Sequence, residues 1–296
     1  MSISKNGATI MQKLKLSTRP ERQRRVLAVH DISCVGRCSL TVALPVLSAM
    51  GFETSILPTS ILSTHTGGFE GYTCRDLAED MPPIAAHWRA LGLRFDAIFT
   101  GWMGTHRHIE HLFGLLDAFS DGAKLIVDPV MGDNGRLYAT LDDAYVAAMR
   151  ALSARADLLL PNITEAALLT GVDYPFPGYD EAWVVDMLRR LNALGRGAAV
   201  LTGVSLAPGR IGAASLNGDE LIYCDDAYVP GMWHGAGDVF ASVLTGEVLR
   251  DRPLSHALDT AVGFTARCIR RTRDAGTDER LGLQFETGLV ELSNRY

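Results

Sequence analysis

From Arg25 onward, the chain alternates short aliphatic runs with longer amphipathic stretches. This alternation predicts repeated βα units, and therefore an α/β fold built on a mostly parallel sheet. Most of the aliphatic runs are almost continuously apolar, which is typical of strands covered by helices on both faces. Strands are predicted at residues 26–29, 55–57, 97–100, 125–127, 158–160 and 199–201. Helices are predicted at residues 40–50, 77–91, 108–119, 142–152, 164–169 and 181–194.

The pattern changes after Gly203. Apolar segments at residues 211–216 and 220–224 flank Asn217-Gly218, a pair that strongly favours a tight hairpin. A small antiparallel edge is therefore expected on the sheet. Helices are predicted after this hairpin at residues 238–250, 254–271 and 286–292. The sequence from residue 25 has no low-complexity linker and no internal repeat, so residues 25–296 are predicted to form one domain.

Residues 1–24 differ from the rest of the chain, because they are polar, rich in lysine and arginine, and lack apolar periodicity. We expect a flexible basic N-terminal extension. A processed targeting segment and a misassigned start codon are the alternatives.

Composition narrows the function classes. The 296 residues are 47% hydrophobic and 21% charged, which is ample apolar material for a core. The net charge of −6 argues against a nucleic-acid or membrane-surface partner, since either requires a clustered basic face. Five scattered cysteines form no paired spacing, and no apolar run approaches the ~18 residues of a membrane span. A reduced, cytoplasmic protein is expected.

Gly235-Ala236-Gly237-Asp238 directly precedes a predicted helix. Small residues let the backbone approach a ligand closely, and the N–H groups at a helix start attract anions such as a phosphoryl group. A carboxylate at the same point would repel a phosphate, but it can take a proton from an attacking hydroxyl. A simple helix cap is the alternative role for Asp238.

Oxygen-bearing side chains follow two further strands. Asp128 and Asp133 lie five residues apart after the strand at 125–127, and Asn162 and Glu165 straddle the start of the helix after Pro161. Carboxylate oxygens at strand ends suit Mg²⁺, so Asp128, Asp133 and Glu165 are candidate metal ligands. Asn162 with Glu165 also has the spacing of a capping box.

Thr202-Gly203 ends the strand at 199–201 and could contact phosphates. Ligands bind at the carboxyl ends of strands in open α/β sheets, so all of these segments are expected at one edge.

Taken in chain order, four segments together resemble the ribokinase superfamily, over nearly the whole chain from Arg25. They are Asp128-Pro129-Val130-Met131-Gly132-Asp133, Pro161-Asn162-Ile163-Thr164-Glu165, Leu201-Thr202-Gly203 and Gly235-Ala236-Gly237-Asp238. Within it, the segment Leu62-Ser63-Thr64-His65-Thr66-Gly67-Gly68 resembles the asparagine-histidine-threonine-glycine segment of pyridoxal kinases. Val35-Gly36 resembles the valine-glycine of their first loop. Gly101-Trp102 and Leu137-Tyr138 fall where those kinases carry aromatic residues around a pyridine ring. The resemblance implies a ribokinase-like fold and an ATP-dependent kinase for the 5′-hydroxymethyl group of a vitamin B6 vitamer.

The resemblance also implies individual roles. Asp238 matches the catalytic base, and Gly235, Ala236 and Gly237 match the anion hole for the γ-phosphate. Positions that organise Mg²⁺ and the nucleotide phosphates are matched by Asp128, Asn162, Glu165 and Thr202, with Gly203 adjacent. The substrate pocket is matched by Val35, Thr66, Trp102 and Tyr138. Members commonly use a monovalent cation such as K⁺ and form homodimers.

Two departures from the pattern affect these expectations. Ala236 replaces a usual threonine, which removes one hydroxyl and leaves the backbone donors. Asp31, in Val29-His30-Asp31-Ile32-Ser33, stands in a first loop unlike that of typical pyridoxal kinases. It could accept a hydrogen bond from a protonated ring nitrogen or pair with an amine, or it could cap the following turn.

Two alternatives stay open at this point. A kinase for hydroxymethylpyrimidine or another heteroaromatic alcohol belongs to the same enzyme class. A non-catalytic ligand-binding or regulatory protein on the same fold belongs to another class.

Overall fold

A computed structural model of the chain describes residues 22–119 and 121–293. Most of the predicted extension, residues 1–21, lies outside the described residues. Its last residues contact the body of the protein, because the Gln23 side chain donates to the Gly51 carbonyl at 3.0 Å and Arg24 pairs with Asp251 at 2.6 Å. Within the described ranges, no helix has the length and apolar character that crossing a membrane requires.

Eleven strands form one large sheet and one small ribbon in the described part of the chain. The strands are β1 (Arg25–Val35), β2 (Glu53–Thr64), β3 (Cys74–Asp76), β4 (Ala97–Thr100), β5 (Lys124–Val127), β6 (Gly132–Asp133), β7 (Arg136–Leu137), β8 (Leu158–Leu159), β9 (Ala198–Val204), β10 (Arg210–Asn217) and β11 (Glu220–Ala227). The large sheet has the order β11-β10-β9-β8-β5-β4-β1-β2-β3, and β6 and β7 form the ribbon.

The six central strands are parallel, as the sequence predicts. The predicted antiparallel edge is formed by β10 and β11 around Asn217-Gly218. A second antiparallel pairing, between β2 and the short β3 at the opposite edge, was not predicted. The three residues of β3 are all exposed and carry no alternation from which a strand could be predicted.

Helices cover both faces of this sheet. One face carries α1 (Leu40–Ala49), α7 (Ala236–Leu249), α8 (Leu254–Asp274) and α9 (Leu289–Ser293). The other carries α2 (Met81–Ala90), α3 (His106–Phe119), α4 (Asp143–Ser153), α5 (Ile163–Thr170) and α6 (Glu181–Leu194). Short 3₁₀ turns lie at Ala78–Asp80, Glu279–Leu281 and Glu286–Gly288.

Alternate residues of β1 belong to the two opposite cores. Val26 and Ala28 pack against one helical layer, while Leu27 and Val29 pack against the other, and all four are fully buried. Because both faces need apolar side chains, the run has no polar interruptions. The fold class predicted from these runs, an α/β fold with a mostly parallel sheet and helices on both faces, is confirmed.

β1 continues well past the predicted residues 26–29. His30, Asp31 and Ser33, which the sequence assigns to a loop, are buried within the strand. The β1–β2 pairing shifts register between His30 and Ile32, so the strand bends and then continues to Val35. Because these buried residues are polar, the pattern of apolar runs does not predict this extension.

The chain leaves β1 for β2 on one side and later returns to place β4 on the other side. Such a reversal of strand order opens a crevice at the carboxyl ends of the strands. All candidate segments follow or end strands at this edge of the sheet.

Candidate active site

The segment before α7 is held in one conformation by a close contact. Gly235 is the N-cap of α7 with φ of 75°, and a Cβ placed on it would lie 2.0 Å from the Arg37 carbonyl oxygen. Only glycine readily adopts this positive φ and also leaves room for the Arg37 carbonyl oxygen. α7 begins at Ala236, two residues before the predicted start at Asp238, because the small residues already adopt helical geometry.

The first turn of α7 presents free backbone donors. The Ala236 N–H donates to the Trp233 carbonyl at 3.2 Å, so it is already used. Among the described residues, nothing accepts from the N–H groups of Gly237 or Asp238. A 14-residue helix with open donors at its N-terminus attracts an anion. In the predicted anion hole, Gly235 therefore provides the turn, and Gly237 and Asp238 provide these open donors.

Asp238 lies in this same turn and is partly exposed. Burial raises the pKa of its carboxyl group to about 7, the backbone N–H of Ser39 lowers it, and the charge of Asp31 raises it. A carboxylate with a pKa near neutrality is suited to accept a proton from a hydroxyl.

Asn162 and Glu165 form the capping box of α5. The Asn162 side chain accepts from the Glu165 N–H at 2.9 Å, and Glu165 Oε2 accepts from the Asn162 N–H at 2.9 Å. Glu165 Oε1 accepts from the Met131 N–H at 3.1 Å, and Asn162 Nδ2 donates to the Gly132 carbonyl at 2.9 Å. These bonds tie the end of β8 to the segment after β5.

Glu165 and Asp128 are close, buried carboxyl groups. Burial raises the pKa of Glu165 to about 8, although its backbone donors lower it. Burial also raises the pKa of Asp128 well above its usual range, and the charges of Glu165 and Asp238 add to this effect. In the described part of the chain, no lysine or arginine pairs with either group. Two neighbouring carboxylates without a cation form a donor set that fits Mg²⁺.

Asp133 does not join this pair. It is exposed on the β6–β7 ribbon, where it accepts from the backbone N–H of Asn134 at 2.8 Å and its Nδ2 at 3.1 Å. Within residues 22–119 and 121–293, no three acidic, histidine or cysteine side chains are close enough to hold one metal ion. Asp128 and Glu165 are therefore the neighbouring pair, and a role for Asp133 as a third metal ligand stays a prediction.

Thr202 and Gly203 end β9 beside the capping box. The Thr202 N–H donates to the Pro161 carbonyl at 2.9 Å, which joins the ends of β8 and β9. Gly203 is exposed with φ of 72°. Its carbonyl accepts from the Tyr179 hydroxyl at 3.3 Å, a contact from the loop before α6 that the sequence did not indicate.

The predicted ring-binding residues lie on several elements. Val35 ends β1 with 52% of its surface exposed, and Thr66 is exposed in the loop after β2. Trp102 is half-buried after β4. Tyr138 follows β7 and faces the acidic groups, since burial first and then Glu165 raise the pKa of its hydroxyl. Asp31 is only 4% exposed.

Comparisons with known proteins show the family to which the chain belongs. The model of the phosphomethylpyrimidine kinase family matches residues 45–281. The chain belongs to this family. The crystal structure of pyridoxal kinase from Lactobacillus plantarum is 37% identical, with a TM-score of 0.85, and the match covers 91% of this chain and 96% of that one.

Two other relatives point the same way. A protein from Bacteroides thetaiotaomicron, described as a phosphomethylpyrimidine kinase and crystallised with pyridoxal, is 36% identical over 92% of this chain and 96% of its own, with a TM-score of 0.87. The pyridoxine/pyridoxal/pyridoxamine kinase of Bordetella bronchiseptica is 26% identical over 86% of this chain and 92% of its own. The chain is a kinase of the pyridoxal kinase branch of the ribokinase superfamily, which confirms the resemblance.

The sequence did not predict that His65 and His234 lie together beside the candidate site. The His65 Nδ1 accepts from the Gly67 N–H at 3.1 Å, so Nε2 carries the proton and donates to the Arg280 carbonyl at 2.5 Å. The ring of His234 lies 4.8 Å from that of His65, and a Cβ on Gly67 would lie 2.6 Å from it. His234 directly precedes Gly235, so this cluster joins the Thr66 loop to the anion-binding turn. The position of His234 directly before Gly235 is the one feature of the sequence that could have indicated its place beside this turn.

Proposed function

We propose that this kinase transfers the γ-phosphate of ATP to the 5′-hydroxymethyl group of pyridoxal, pyridoxine or pyridoxamine. The observation that carries the proposal is the first turn of α7, where the Asp238 carboxyl group lies beside the open N–H groups of Gly237 and Asp238. A binding protein has no use for an acid next to a phosphate, whereas a kinase needs a base there. The relatives named for B6 vitamers support the choice of alcohol.

The residues divide the reaction between them. Asp238 takes the proton from the attacking hydroxyl as its oxygen bonds to the γ-phosphorus, and the bond from phosphorus to the β-phosphate oxygen breaks. The backbone donors at the start of α7 stabilise the charge on the transferring group. Asn162, Thr202 and Gly203 line the nucleotide side, and their hydrogen bonds to neighbouring strands keep that side rigid.

Asp128 and Glu165 would hold Mg²⁺, because their neighbouring buried carboxylates have no cationic side chain as a partner among the described residues. Bound there, Mg²⁺ would neutralise phosphate charge in the transition state. Use of a monovalent cation such as K⁺ stays a prediction, as do the homodimer and the cytoplasmic location.

On the other side of Asp238, Val35, Thr66, Trp102 and Tyr138 would surround the aromatic ring. Their exposed or half-buried side chains leave apolar and hydroxyl groups available to a planar heteroaromatic alcohol. Gly67, next to Thr66, lies so close to His234 that a Cβ would not fit between them, and His234 directly precedes the turn at Gly235.

A kinase for hydroxymethylpyrimidine is the second candidate, favoured by the description of the matching family. A non-catalytic binding protein is the remaining alternative. The test is a screen of the purified protein with ATP and Mg²⁺ against the three vitamers and hydroxymethylpyrimidine, with products identified by mass. We expect kcat/KM to be at least about 10-fold higher for a vitamer than for the pyrimidine. The reverse order would favour the second candidate, and binding of a vitamer without any product would favour the third.

A further inference from the structure

An exposed turn after α8 contacts three loops of the candidate site. It spans residues 278–282, with the 3₁₀ segment Glu279–Leu281 at its centre. Three hydrogen bonds join it to other parts of the chain: the Arg280 carbonyl accepts from His65 Nε2 at 2.5 Å, the Leu281 carbonyl accepts from the Arg37 N–H at 3.0 Å, and Glu279 Oε2 accepts from the Met232 N–H at 3.0 Å. The partners lie in the loop after β2, the loop after β1 and the segment before α7. One short turn therefore connects three loops that are distant in sequence.

Each partner of the 278–282 turn is a near neighbour of a residue that we place in the site. In the sequence, Thr66 directly follows His65, Val35 shortly precedes Arg37, and Gly235 shortly follows Met232. Among the described residues, the turn makes no hydrogen bond to the nucleotide side at Asn162, Thr202 or Gly203. Its contacts are therefore with the alcohol side and with the segment that leads to the anion-binding turn.

His65 links the 278–282 turn to Thr66. Its Nδ1 accepts from the Gly67 N–H at 3.1 Å, so Thr66 is the middle residue of a loop closed by the His65 ring. The ring is 7% exposed and lies 4.8 Å from the ring of His234. A neutral imidazole has one donor and one acceptor, and both are used here. Because rotation of the ring would break the bond to Gly67 or the bond to Arg280, the position of Thr66 depends on the turn.

Close packing accompanies these hydrogen bonds. A Cβ placed on Gly36 would lie 2.9 Å from His65 Cδ2, and a Cβ placed on Gly68 would lie 3.1 Å from Arg280 Cγ. The Arg280 guanidinium lies 5.3 Å from the centre of the Phe69 ring. Residues 278–280 are nevertheless exposed, so the turn buries little surface of its own. Its contacts therefore contribute more to the placement of the loops than to the core.

From these contacts we propose that His65 and the 278–282 turn position the alcohol side of the site: the turn holds the His65 ring, and the ring holds Thr66 in the arrangement that binds the alcohol. The inference rests on the proposed function, because it identifies what sets the alcohol affinity of that same site. The affinity for ATP is not set in this way, since the turn makes no hydrogen bond to the nucleotide side among the described residues.

Two substitutions of His65 separate its two hydrogen bonds. In His65→Gln, the new Nε2 lies as many bonds from Cα as the histidine Nε2 does, so it can still donate to the Arg280 carbonyl. In His65→Asn, Oδ1 replaces Nδ1 and can still accept from the Gly67 N–H, but the bond to Arg280 is lost. We expect the KM for pyridoxal to rise about 2–12-fold in His65→Asn, the effect of one neutral hydrogen bond, and to rise less in His65→Gln. The Kd of ATP, measured by calorimetry, should stay within about 2-fold of wild type in both.

Glu279 tests the turn without a change at His65. Glu279→Ala removes the acceptor for the Met232 N–H, whereas Glu279→Gln keeps an acceptor oxygen. We expect the KM for pyridoxal to rise about 2-fold or more in Glu279→Ala and to stay near wild type in Glu279→Gln. Glu220→Ala, at an exposed glutamate that begins β11, is the matched control and should leave this KM unchanged.

The melting temperature of each variant is measured alongside, because a turn that only stabilises the fold would lower it without a change in KM. An unchanged KM for pyridoxal in folded His65→Asn or Glu279→Ala therefore overturns the inference. A larger rise in His65→Gln than in His65→Asn overturns it in favour of loop closure by Gly67 alone, and an equal loss of ATP affinity overturns it as a general disturbance of the site. A wild-type protein that phosphorylates none of the alcohols refutes the proposed function instead.

Discussion

Replacing Asp238 with asparagine separates chemistry from binding at this site. The change keeps the side-chain size and removes the basicity, while the N–H groups of Gly237 and residue 238 stay in place. Asp128 and Glu165 are also untouched. We therefore expect Asp238→Asn to bind ATP within ~3-fold of wild type and to lose at least ~100-fold in kcat.

The size of this loss follows from the usual contribution of a general base, and its pH dependence follows from the pKa of Asp238. A positioned general base typically contributes ~10²–10⁴-fold, which is about 3–5 kcal/mol of transition-state stabilisation. With its pKa raised to about 7 by burial, the Asp238 carboxyl group is ionised in about half of the molecules at pH 7. Wild-type kcat/KM should thus fall about 10-fold per pH unit well below pH 7. The variant has no carboxyl group at this position, so its residual activity should lack this limb.

The assay is product formation from pH 5.5 to 8.5, with ATP affinity measured by calorimetry on the same preparations. Asp117→Asn is the control, since it makes the same chemical change at an exposed acid that pairs with Arg155 at 3.0 Å. Activity of Asp238→Asn within ~5-fold of wild type would refute the reasoning and leave Asp238 as a first-turn helix acid. A residual activity that keeps the wild-type acid limb would refute the assignment of that limb to Asp238.

Three further predictions follow from the contacts of this edge. Gly235→Ala should lower the melting temperature by about 4 °C or more and lower kcat at least ~10-fold, because the new Cβ would meet the Arg37 carbonyl. The melting temperature of Gly237→Ala is the control, since a Cβ at Gly237 meets nothing within 4 Å. Without Mg²⁺, the melting temperature should fall as pH rises from about 5 to 8, because folded Glu165 and Asp238, with pKa values of about 8 and 7, hold protons that the unfolded chain releases. Glu165→Gln should make that fall shallower, and an unchanged slope would contradict the shifted pKa of Glu165. Thr66→Ala should raise KM for the alcohol ~2–12-fold, and a comparable loss of ATP affinity would place Thr66 elsewhere.

The sheet could be predicted from the sequence where both faces are buried. Runs such as 97–100 are apolar at almost every position, so they mark strands without any knowledge of the fold. The apolar pattern does not predict the extension of β1, because His30, Asp31 and Ser33 are polar and nevertheless buried. Such residues are held by specific contacts, and those contacts exist only after the chain has folded.

The sequence also predicted only part of the candidate site. Gly235, Gly237 and Asp238 form a contiguous motif, so their proximity follows from the chain itself. The pairing of Asp128 with Glu165 required the alignment of β5 and β8, which the strand order supplies. The backbone conformation of Ser39 could not be predicted, since nothing in the sequence indicates a positive φ at a serine. Asp133 is close to Asp128 in sequence, but it lies exposed on the ribbon of β6 and β7, a placement that the sequence pattern does not indicate.

This edge of the sheet has the acidic residues of a ligand-binding site in place of the apolar residues of a core. They are Asp128, Glu165 and Asp238. Each is held in a protein environment that disfavours its charge, and none has a lysine or arginine partner among the described residues. A folded protein that only needed stability would gain from apolar side chains of similar size at these positions. Because burial of unpaired acids costs stability, their presence implies that a ligand with positive charge compensates for it in the working state. In the proposed reaction, a divalent cation delivered with the nucleotide would supply that charge at Asp128 and Glu165, and Asp238 would accept the proton of the attacking hydroxyl.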